Sequence, residues 1–211
     1  MNAATQKRVL QGGAGAIEAL LDEPVDGVLR GTAVIAHPHP LFGGTMTNKV
    51  VQTLARAFVQ TGWRAVRFNF RGVGASAGTY DEGHGEAADM LDVIRQVAPE
   101  GPVAVAGFSF GAFVTSQVLS PLGARAPEKI VLVGTAASRF AVAPIAPELH
   151  ERTLVLHGEH DDTVALASVM DWARPQSLPV TVIPGVEHFF HGQLPLLKSL
   201  VVRHLLAPLA P

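Results

Sequence analysis

The chain contains no cysteine, and this absence excludes disulfide bonds, thiolate nucleophiles and cysteine-based metal sites. It also has no apolar run approaching the roughly 20 residues that a helix needs to cross a bilayer. The first residues, MNAATQKRV, lack the apolar core of a secretory signal. The sequence therefore predicts a soluble, cytoplasmic protein that does not associate with membranes.

An excess of charge of one sign is also missing. The 211 residues include 16 lysines and arginines and 18 aspartates and glutamates, which gives a formal net charge of -2. Acidic and basic residues are interspersed, whereas nucleic acids and anionic membranes attract clusters of basic residues. We therefore expect no nucleic-acid partner.

Short apolar runs and helical patterns alternate along the chain, as in a single domain spanning residues 1–211. After an initial pair of strands, the runs TAVIAH, RAVRFNF, VAVAGF, KIVLVG, TLVLHG and VTVIPG predict further strands. Helical periodicity covers residues 46–61, 86–97 and 194–206. Strands that lack polar alternation and are separated by helices predict a parallel sheet that is covered on both faces. The fold class is α/β, and ligands are expected at the carboxyl ends of the strands.

The segment VAVAGFSFGAF, residues 103–113, places Ser109 at the end of a strand and before a predicted helix. Gly107 and Gly111 stand two residues before and two residues after it, in the pattern G-x-S-x-G. A sharp strand-to-helix turn needs small neighbours, and it presents the serine oxygen above the edge of the sheet. Ser109 is therefore a candidate nucleophile.

A serine nucleophile needs a base that removes its proton and an acid that orients the base. Two loops downstream of Ser109 follow predicted strands and provide these groups in the order acid, then histidine. The loop EHDDTV offers Asp161 or Asp162, and the loop VEHFFHG offers His188 or His191.

With these motifs in place, the chain resembles the α/β-hydrolase superfamily over nearly its whole length, from VIAHPHP through FNFRGVGAS, GFSFG and LHGEHDDTV to GVEHFF. It is most similar to small hydrolases without a lid that share HPHPLFGGTMTNKVV. The resemblance implies a mostly parallel, twisted sheet with helices on both faces. The family pattern G-x-x-D-x-x-V matches Gly158, Asp161 and Val164, which implies Asp161 as the acid, and His188 matches the position of the base. Asp162 and His191 are the alternatives.

The tetrahedral intermediate of acyl transfer needs two N–H donors, which form the oxyanion hole. The N–H of Phe110, directly after the serine, is expected to supply one. In the superfamily the second comes from the loop after the third strand, here HPHPLFGG, but Pro38 replaces the usual glycine. Because proline has no N–H, the second donor is either His39 or Leu41.

Two other patterns suggest ligand sites, and the sequence favours neither. His37 and His39 could be metal ligands, but the remaining histidines are scattered, and we expect His37 to be a buried residue that orients its loop. GVGASA, residues 72–77, matches a dinucleotide fingerprint without the helix that this site requires. We therefore expect no metal and no cofactor. Thr45 or Thr47 is predicted to cap the first helix.

Residues 135–152 are too few for the helical lid that many α/β-hydrolases insert at this point. The site is therefore expected to be open and edged by phenylalanines, namely Phe42, Phe108, Phe110, Phe113, Phe140 and Phe189. Together with the resemblance, this predicts a serine hydrolase that cleaves small carboxylic esters as its small-molecule substrates. A thioesterase, an amidase or peptidase, and a non-catalytic binding module are the alternatives. The apolar segment from Leu194 allows either a monomer or a homodimer.

Overall fold

The computed structural model describes residues 5–24 and 29–208. Its centre is an eight-stranded sheet with the order β1-β2-β4-β3-β5-β6-β7-β8. The strands are β1 Gln6–Gly12, β2 Gly15–Asp22, β3 Gly31–Ala36, β4 Trp63–Phe68, β5 Val103–Phe108, β6 Lys129–Val133, β7 Thr153–Gly158 and β8 Val180–Ile183.

Most of the sheet is parallel. Strand β2 pairs antiparallel with β1 and with β4, and all pairs from β4 through β3 to β8 are parallel. Every residue of β5 and β6 is buried, because both faces of these central strands are covered. The predicted α/β class and the α/β-hydrolase fold are confirmed.

Helices cover both faces of the sheet. They are α1 Lys49–Gln60, α2 His84–Val97, α3 Phe110–Leu122, α4 Leu166–Ala173 and α5 Leu194–Leu206. Helices α2, α3 and α4 contribute to one apolar core, and α1 and α5 contribute to the other. Within the described ranges, no helix has both the length and the hydropathy to cross a membrane.

The predicted cap of α1 is wrong. Asn48 caps the helix, because its side-chain Oδ1 accepts a hydrogen bond of 2.9 Å from the N–H of Val50. The hydroxyl groups of Thr45 and Thr47 instead lie 2.9 Å from each other. The helix begins later than expected because Met46, just before it, is bound to Asn69 after β4 through a 2.9 Å hydrogen bond from its N–H.

The loop between β3 and α1 is held to the end of β4 at both of its ends. At its start, His37 is buried, as predicted, and its Nε2 accepts a 3.0 Å hydrogen bond from the N–H of Phe70. The Nδ1 of His37 donates to the carbonyl of Pro38 at 2.6 Å. At the far end, the N–H of Met46 donates to the Asn69 side chain, and the carbonyl of Met46 accepts a 3.2 Å hydrogen bond from Arg67. These bonds fix the loop that enters the site.

These bonds require a neutral His37 imidazole. One nitrogen must carry a proton and the other must carry a lone pair. Burial lowers the pKa of His37 from 6.5 to about 4, although the bond to Pro38 acts in the opposite direction. The side chain is therefore neutral in the folded protein at neutral pH.

The neutral state of His37 makes the stability of the fold depend on pH. Between about pH 6.5 and about pH 4 the unfolded chain binds a proton at this position and the folded chain does not, so the free energy of unfolding falls as the pH falls. From about pH 7.5 to about pH 5 this one group is expected to remove about 2 kcal/mol. Urea unfolding of the wild type and of His37→Gln at both pH values measures the effect.

The His37→Gln protein should lose less stability over this interval than the wild type, by about the same 2 kcal/mol. His191→Gln is the control, because His191 is exposed and its side chain is bound to Glu187. Equal pH dependence in the wild type and in His37→Gln would contradict the neutral, buried assignment.

Candidate active site

Ser109 occupies a strained turn between β5 and α3. Its backbone has φ 57° and ψ -116°, a left-handed conformation that residues with a side chain seldom adopt. A Cβ atom on Gly107 would lie 2.2 Å from the carbonyl oxygen of Gly111, and one on Gly111 would lie 2.4 Å from that of Ala36. The two glycines therefore allow β5, α3 and β3 to approach closely, and the turn directs the Ser109 hydroxyl away from the sheet edge.

His188 connects Ser109 to an acid. Its Nε2 lies 3.1 Å from Ser109 Oγ, and its Nδ1 lies 2.6 Å from Asp161 Oδ2. The His188 side chain is 2% exposed, and its ring packs against that of Phe108, with 4.9 Å between the ring centres. A Cβ atom on Gly134 would lie 3.1 Å from the His188 ring, so this glycine leaves space for the imidazole.

Asp161 follows β7 and is held by backbone donors. Its Oδ1 accepts hydrogen bonds from the N–H groups of Thr163 at 3.0 Å and Val164 at 2.7 Å. Burial alone would raise its pKa, but the hydrogen bonds from His188 and Val164 outweigh burial, so the pKa is lowered. Asp161 is therefore ionised at neutral pH and can stabilise a protonated His188.

A second histidine, His157, lies beside the same carboxylate. Its Nε2 is 3.5 Å from Asp161 Oδ2 and 2.9 Å from the carbonyl of Val164, which it binds as donor. The side chain is fully buried, and burial lowers its pKa. The sequence analysis does not single out His157. Its position at the end of β7, four residues before Asp161, could have indicated that it lies beside the acid.

The alternative acid and base lie away from Ser109. Asp162 is exposed, and its Oδ1 accepts a 3.3 Å hydrogen bond from the hydroxyl of Thr163. His191 is exposed and pairs with Glu187, with 2.7 Å between His191 Nδ1 and Glu187 Oε1. Of the residues that the sequence offered, the structure brings Asp161 and His188 together with Ser109.

The two candidates for the second N–H donor differ in their surroundings. The N–H of Leu41 already donates to His39 Nδ1 at 3.2 Å, and Leu41 is 66% exposed. The N–H groups of His39 and Phe110 have no hydrogen-bond acceptor among the described residues. His39 also lines the same cavity as Ser109, and Leu41 does not. The geometry therefore favours His39.

A cavity of about 370 Å³ opens over Ser109. Its other lining residues are Pro38, His39, Phe42, Gly43, Gly44, Asn48, Arg139, Thr163, His188 and Phe189. A second cavity of about 620 Å³ also contains Arg139 and is lined by Tyr80, Glu82, Gly83, His84, Ala87, Phe113, Gln117, Phe140 and Ala141. Arg139 belongs to the lining of both.

The phenylalanines divide into three groups, which partly corrects the predicted rim. Phe42 and Phe189 are exposed and line the catalytic cavity. Phe108 and Phe110 are fully buried, because they stand next to Ser109 where the chain passes into the core. The remaining two, Phe113 and Phe140, line the second cavity.

The two other patterns do not assemble into ligand sites. In the part of the chain that the structure describes, no group of three or more histidines, aspartates or glutamates is arranged to hold a metal ion. Residues 72–75 form turns and a bend, and the next helix begins only at His84, so this segment does not open a helix.

Comparison with known proteins identifies the family of the chain. Residues 24–143 match the family described as X-Pro dipeptidyl-peptidase (S15 family), a range that includes Ser109 and ends before Asp161. The uncharacterized protein RP471 of Rickettsia prowazekii is 32% identical over 181 residues, which are 75% of this chain and 71% of that protein.

Two solved structures are also similar. XC6422 from Xanthomonas campestris, described as an α/β serine hydrolase without a lid, has a TM-score of 0.86 and 33% identity, covering 100% of this chain and 99% of that one. A serine hydrolase homologue from Coxiella burnetii has a TM-score of 0.80 and 36% identity, and the match covers 96% of this chain and 97% of that one. The chain therefore belongs to the S15 family and is a serine hydrolase with the α/β-hydrolase fold and no lid.

Proposed function

We propose that the protein hydrolyses small carboxylic esters, with Ser109 as nucleophile, His188 as general base and acid, and Asp161 as the residue that orients His188. The observation that carries this proposal is the chain of hydrogen bonds from Ser109 Oγ through His188 to Asp161, which ends in a cavity. A serine hydroxyl becomes an effective nucleophile only when such a base removes its proton.

In the first step the Ser109 oxygen attacks the ester carbonyl, and His188 Nε2 takes the hydroxyl proton. The bond from His188 Nδ1 to Asp161 keeps the proton of the neutral imidazole on Nδ1, so that Nε2 has its lone pair free. The imidazolium that forms lies against the ionised carboxylate of Asp161, which stabilises it electrostatically.

The negative oxygen of the tetrahedral intermediate is proposed to bind the N–H groups of Phe110 and His39. Burial and the nearby Arg139 both lower the pKa of His39, so its side chain is neutral at neutral pH and can accept the N–H of Leu41. That bond engages the N–H of Leu41 and holds the turn, and the N–H of His39 remains free to bind the negative oxygen. The loop is thus prepared before substrate binds, as effective oxyanion stabilisation requires.

The intermediate collapses when His188 returns the proton to the leaving alcohol. Water then enters, and His188 takes a proton from it as it attacks the acyl group on Ser109. Release of the acid restores the free serine. All of these proton transfers use His188 Nε2, which is the nitrogen that faces Ser109.

Peptide hydrolysis is the second candidate, because the matching family is described as X-Pro dipeptidyl-peptidase. A peptidase of that kind must hold the positively charged N-terminus of its substrate near the scissile bond. The lining of the catalytic cavity contains no aspartate or glutamate side chain among the described residues, and it contains Arg139. This charge distribution disfavours a substrate with a free amino terminus and favours ester hydrolysis.

Replacing Ser109 tests the nucleophile. Ser109→Ala should lower kcat for p-nitrophenyl butyrate by roughly 10⁴- to 10⁶-fold, because the acyl-enzyme cannot form. The matched control is Ser120→Ala, an exposed serine of α3 whose removal should leave kcat unchanged. Full activity of Ser109→Ala would refute the assignment, and a wild type without turnover would support a binding module.

Replacing His39 tests the second oxyanion donor. The backbone of His39 has φ -54°, which proline adopts without strain, so His39→Pro deletes the N–H while keeping the backbone path. Its kcat should fall by roughly 10²- to 10³-fold relative to His39→Ala, which keeps the N–H and loses the same side chain. Equal kcat for the two variants would exclude His39 as the donor.

A substrate series tests the bond that is cleaved. The kcat/KM values for p-nitrophenyl butyrate, a butyryl thioester and the p-nitroanilide of an X-Pro dipeptide should rank the oxygen ester first, and a higher value for the thioester would establish a thioesterase instead. The anilide should be the poorest substrate, because its N-terminal ammonium finds no carboxylate in the cavity lining. A higher kcat/KM for the anilide would establish the peptidase instead.

A further inference from the structure

We propose that Arg139 binds a carboxylate on the substrate, so that the preferred substrates are esters that carry a separate anionic group. This inference rests on the proposed ester hydrolysis and adds a substrate class to it. The carboxylate can lie in the acyl part or in the alcohol part, and the experiment below distinguishes the two.

The backbone of Arg139 is held by a turn in the connection between β6 and β7, residues 134–152. The N–H groups of Arg139 and Phe140 both donate to the carbonyl of Ala136, at 3.2 Å and 3.1 Å, which closes a tight turn. Phe140 is stacked on Phe113, with 4.7 Å between ring centres and 14° between ring planes. The backbone is therefore held in place while the Arg139 side chain is exposed at the site.

Arg139 stands where the two cavities meet. It is the residue that appears in the lining of both the catalytic cavity and the second cavity. The His39 ring, which lines the catalytic cavity, lies 5.0 Å from the ring of Tyr80 and 5.8 Å from that of Phe140, and these two line the second cavity. A substrate that is longer than one cavity would therefore pass next to the guanidinium.

The guanidinium has no partner within the described part of the chain. No carboxylate lies within ion-pair distance of it, and its side chain makes no hydrogen bond to those residues. Five other arginines, namely Arg64, Arg67, Arg71, Arg95 and Arg174, do have acidic partners among the described residues. Arg71 and Asp89, whose side chains are largely buried, form two hydrogen bonds of 2.8 Å, and the exposed Arg174 binds Asp171 at 2.7 Å. Arg139 therefore keeps its five N–H donors available for a ligand.

The side chains that line the two cavities beside Arg139 leave its positive charge available to an anionic ligand. In the catalytic cavity its lining neighbours with polar side chains are Asn48, Thr163, Ser109 and two histidines, none of them acidic. In the second cavity Glu82 is the acidic residue of the lining, and it does not form an ion pair with Arg139. A planar guanidinium binds a carboxylate with two parallel hydrogen bonds, which combines charge with geometric selectivity.

Two pairs of esters, each matched in shape, test the proposal. In the acyl arm, mono-p-nitrophenyl adipate is compared with p-nitrophenyl 6-methylheptanoate, in which an isopropyl group replaces the carboxylate. In the alcohol arm, 3-acetoxybenzoate is compared with 3-isopropylphenyl acetate. The measured quantity is the ratio of kcat/KM for the charged ester to that for its uncharged partner, after subtraction of the uncatalysed rate.

Arg139→Ala should lower this ratio by about tenfold or more in one arm, the loss expected when a charged hydrogen-bonding partner is removed. Arg139→Lys should retain part of the ratio, and Arg139→Glu should lower it further because the charge is reversed. Arg174→Ala is the matched control, an exposed arginine in the helical turn after α4 that lines neither cavity. Its ratio should equal that of the wild type.

An unchanged ratio in both arms would overturn the proposal. This holds even if kcat/KM falls equally for charged and uncharged esters, because the ratio is then unchanged and Arg139 acts on the reaction common to all esters. If no ester is hydrolysed at all, the proposed function fails separately. In that event, the dissociation constants of 3-acetoxybenzoate and 3-isopropylphenyl acetate, measured in Ser109→Ala with and without Arg139→Ala, still decide whether Arg139 binds the carboxylate.

Discussion

The hydrogen bond of 2.6 Å between His188 Nδ1 and Asp161 Oδ2 is the interaction on which the site depends. Both side chains are buried, with 2% of the His188 side chain and 0% of the Asp161 side chain exposed, so an ionised carboxylate must be compensated by donors rather than by water. The backbone N–H groups of Thr163 and Val164 supply that compensation on the other carboxylate oxygen. The result is an imidazole with a fixed plane and a fixed tautomer, facing the Ser109 hydroxyl that the strained turn after β5 presents.

Two loops, one after β3 and one after β6, contribute to the lining of the cavity over Ser109. The loop after β3 is tied to β4 by His37 and by the contacts of Met46, and these bonds set where the His39 N–H lies relative to Ser109. The loop after β6 is anchored by the Ala136 turn and by the stacked rings of Phe113 and Phe140, and it carries Arg139. Because both loops are held by interactions outside the cavity, their groups facing the cavity are free to contact substrate. Binding and catalysis require loops that are held rigidly and whose N–H donors are not already bound to the protein.

Much of this arrangement could be predicted from the sequence, because the carboxyl ends of parallel strands meet at one edge of a sheet. Ser109, Asp161 and His188 each follow a strand, and the glycines around Ser109 indicate the turn. Other features depend on contacts between distant segments. Helix α4 has too few residues for a clear period, and the choice between His39 and Leu41 depends on a side-chain bond within the loop. Arg139 stands in a segment without a motif, and its lack of an ion-pair partner among the described residues is visible only in the folded chain.

Reaction with a fluorophosphonate, followed by mass spectrometry of the intact protein and of its peptides, tests the central claim most directly. An activated serine displaces fluoride and keeps the phosphonyl group, whereas an ordinary serine hydroxyl does not react. The account predicts one adduct per chain, located on Ser109, with a rate of formation that falls steeply in His188→Gln. An unmodified protein, an adduct on another residue, or a rate that does not depend on His188 would contradict the account.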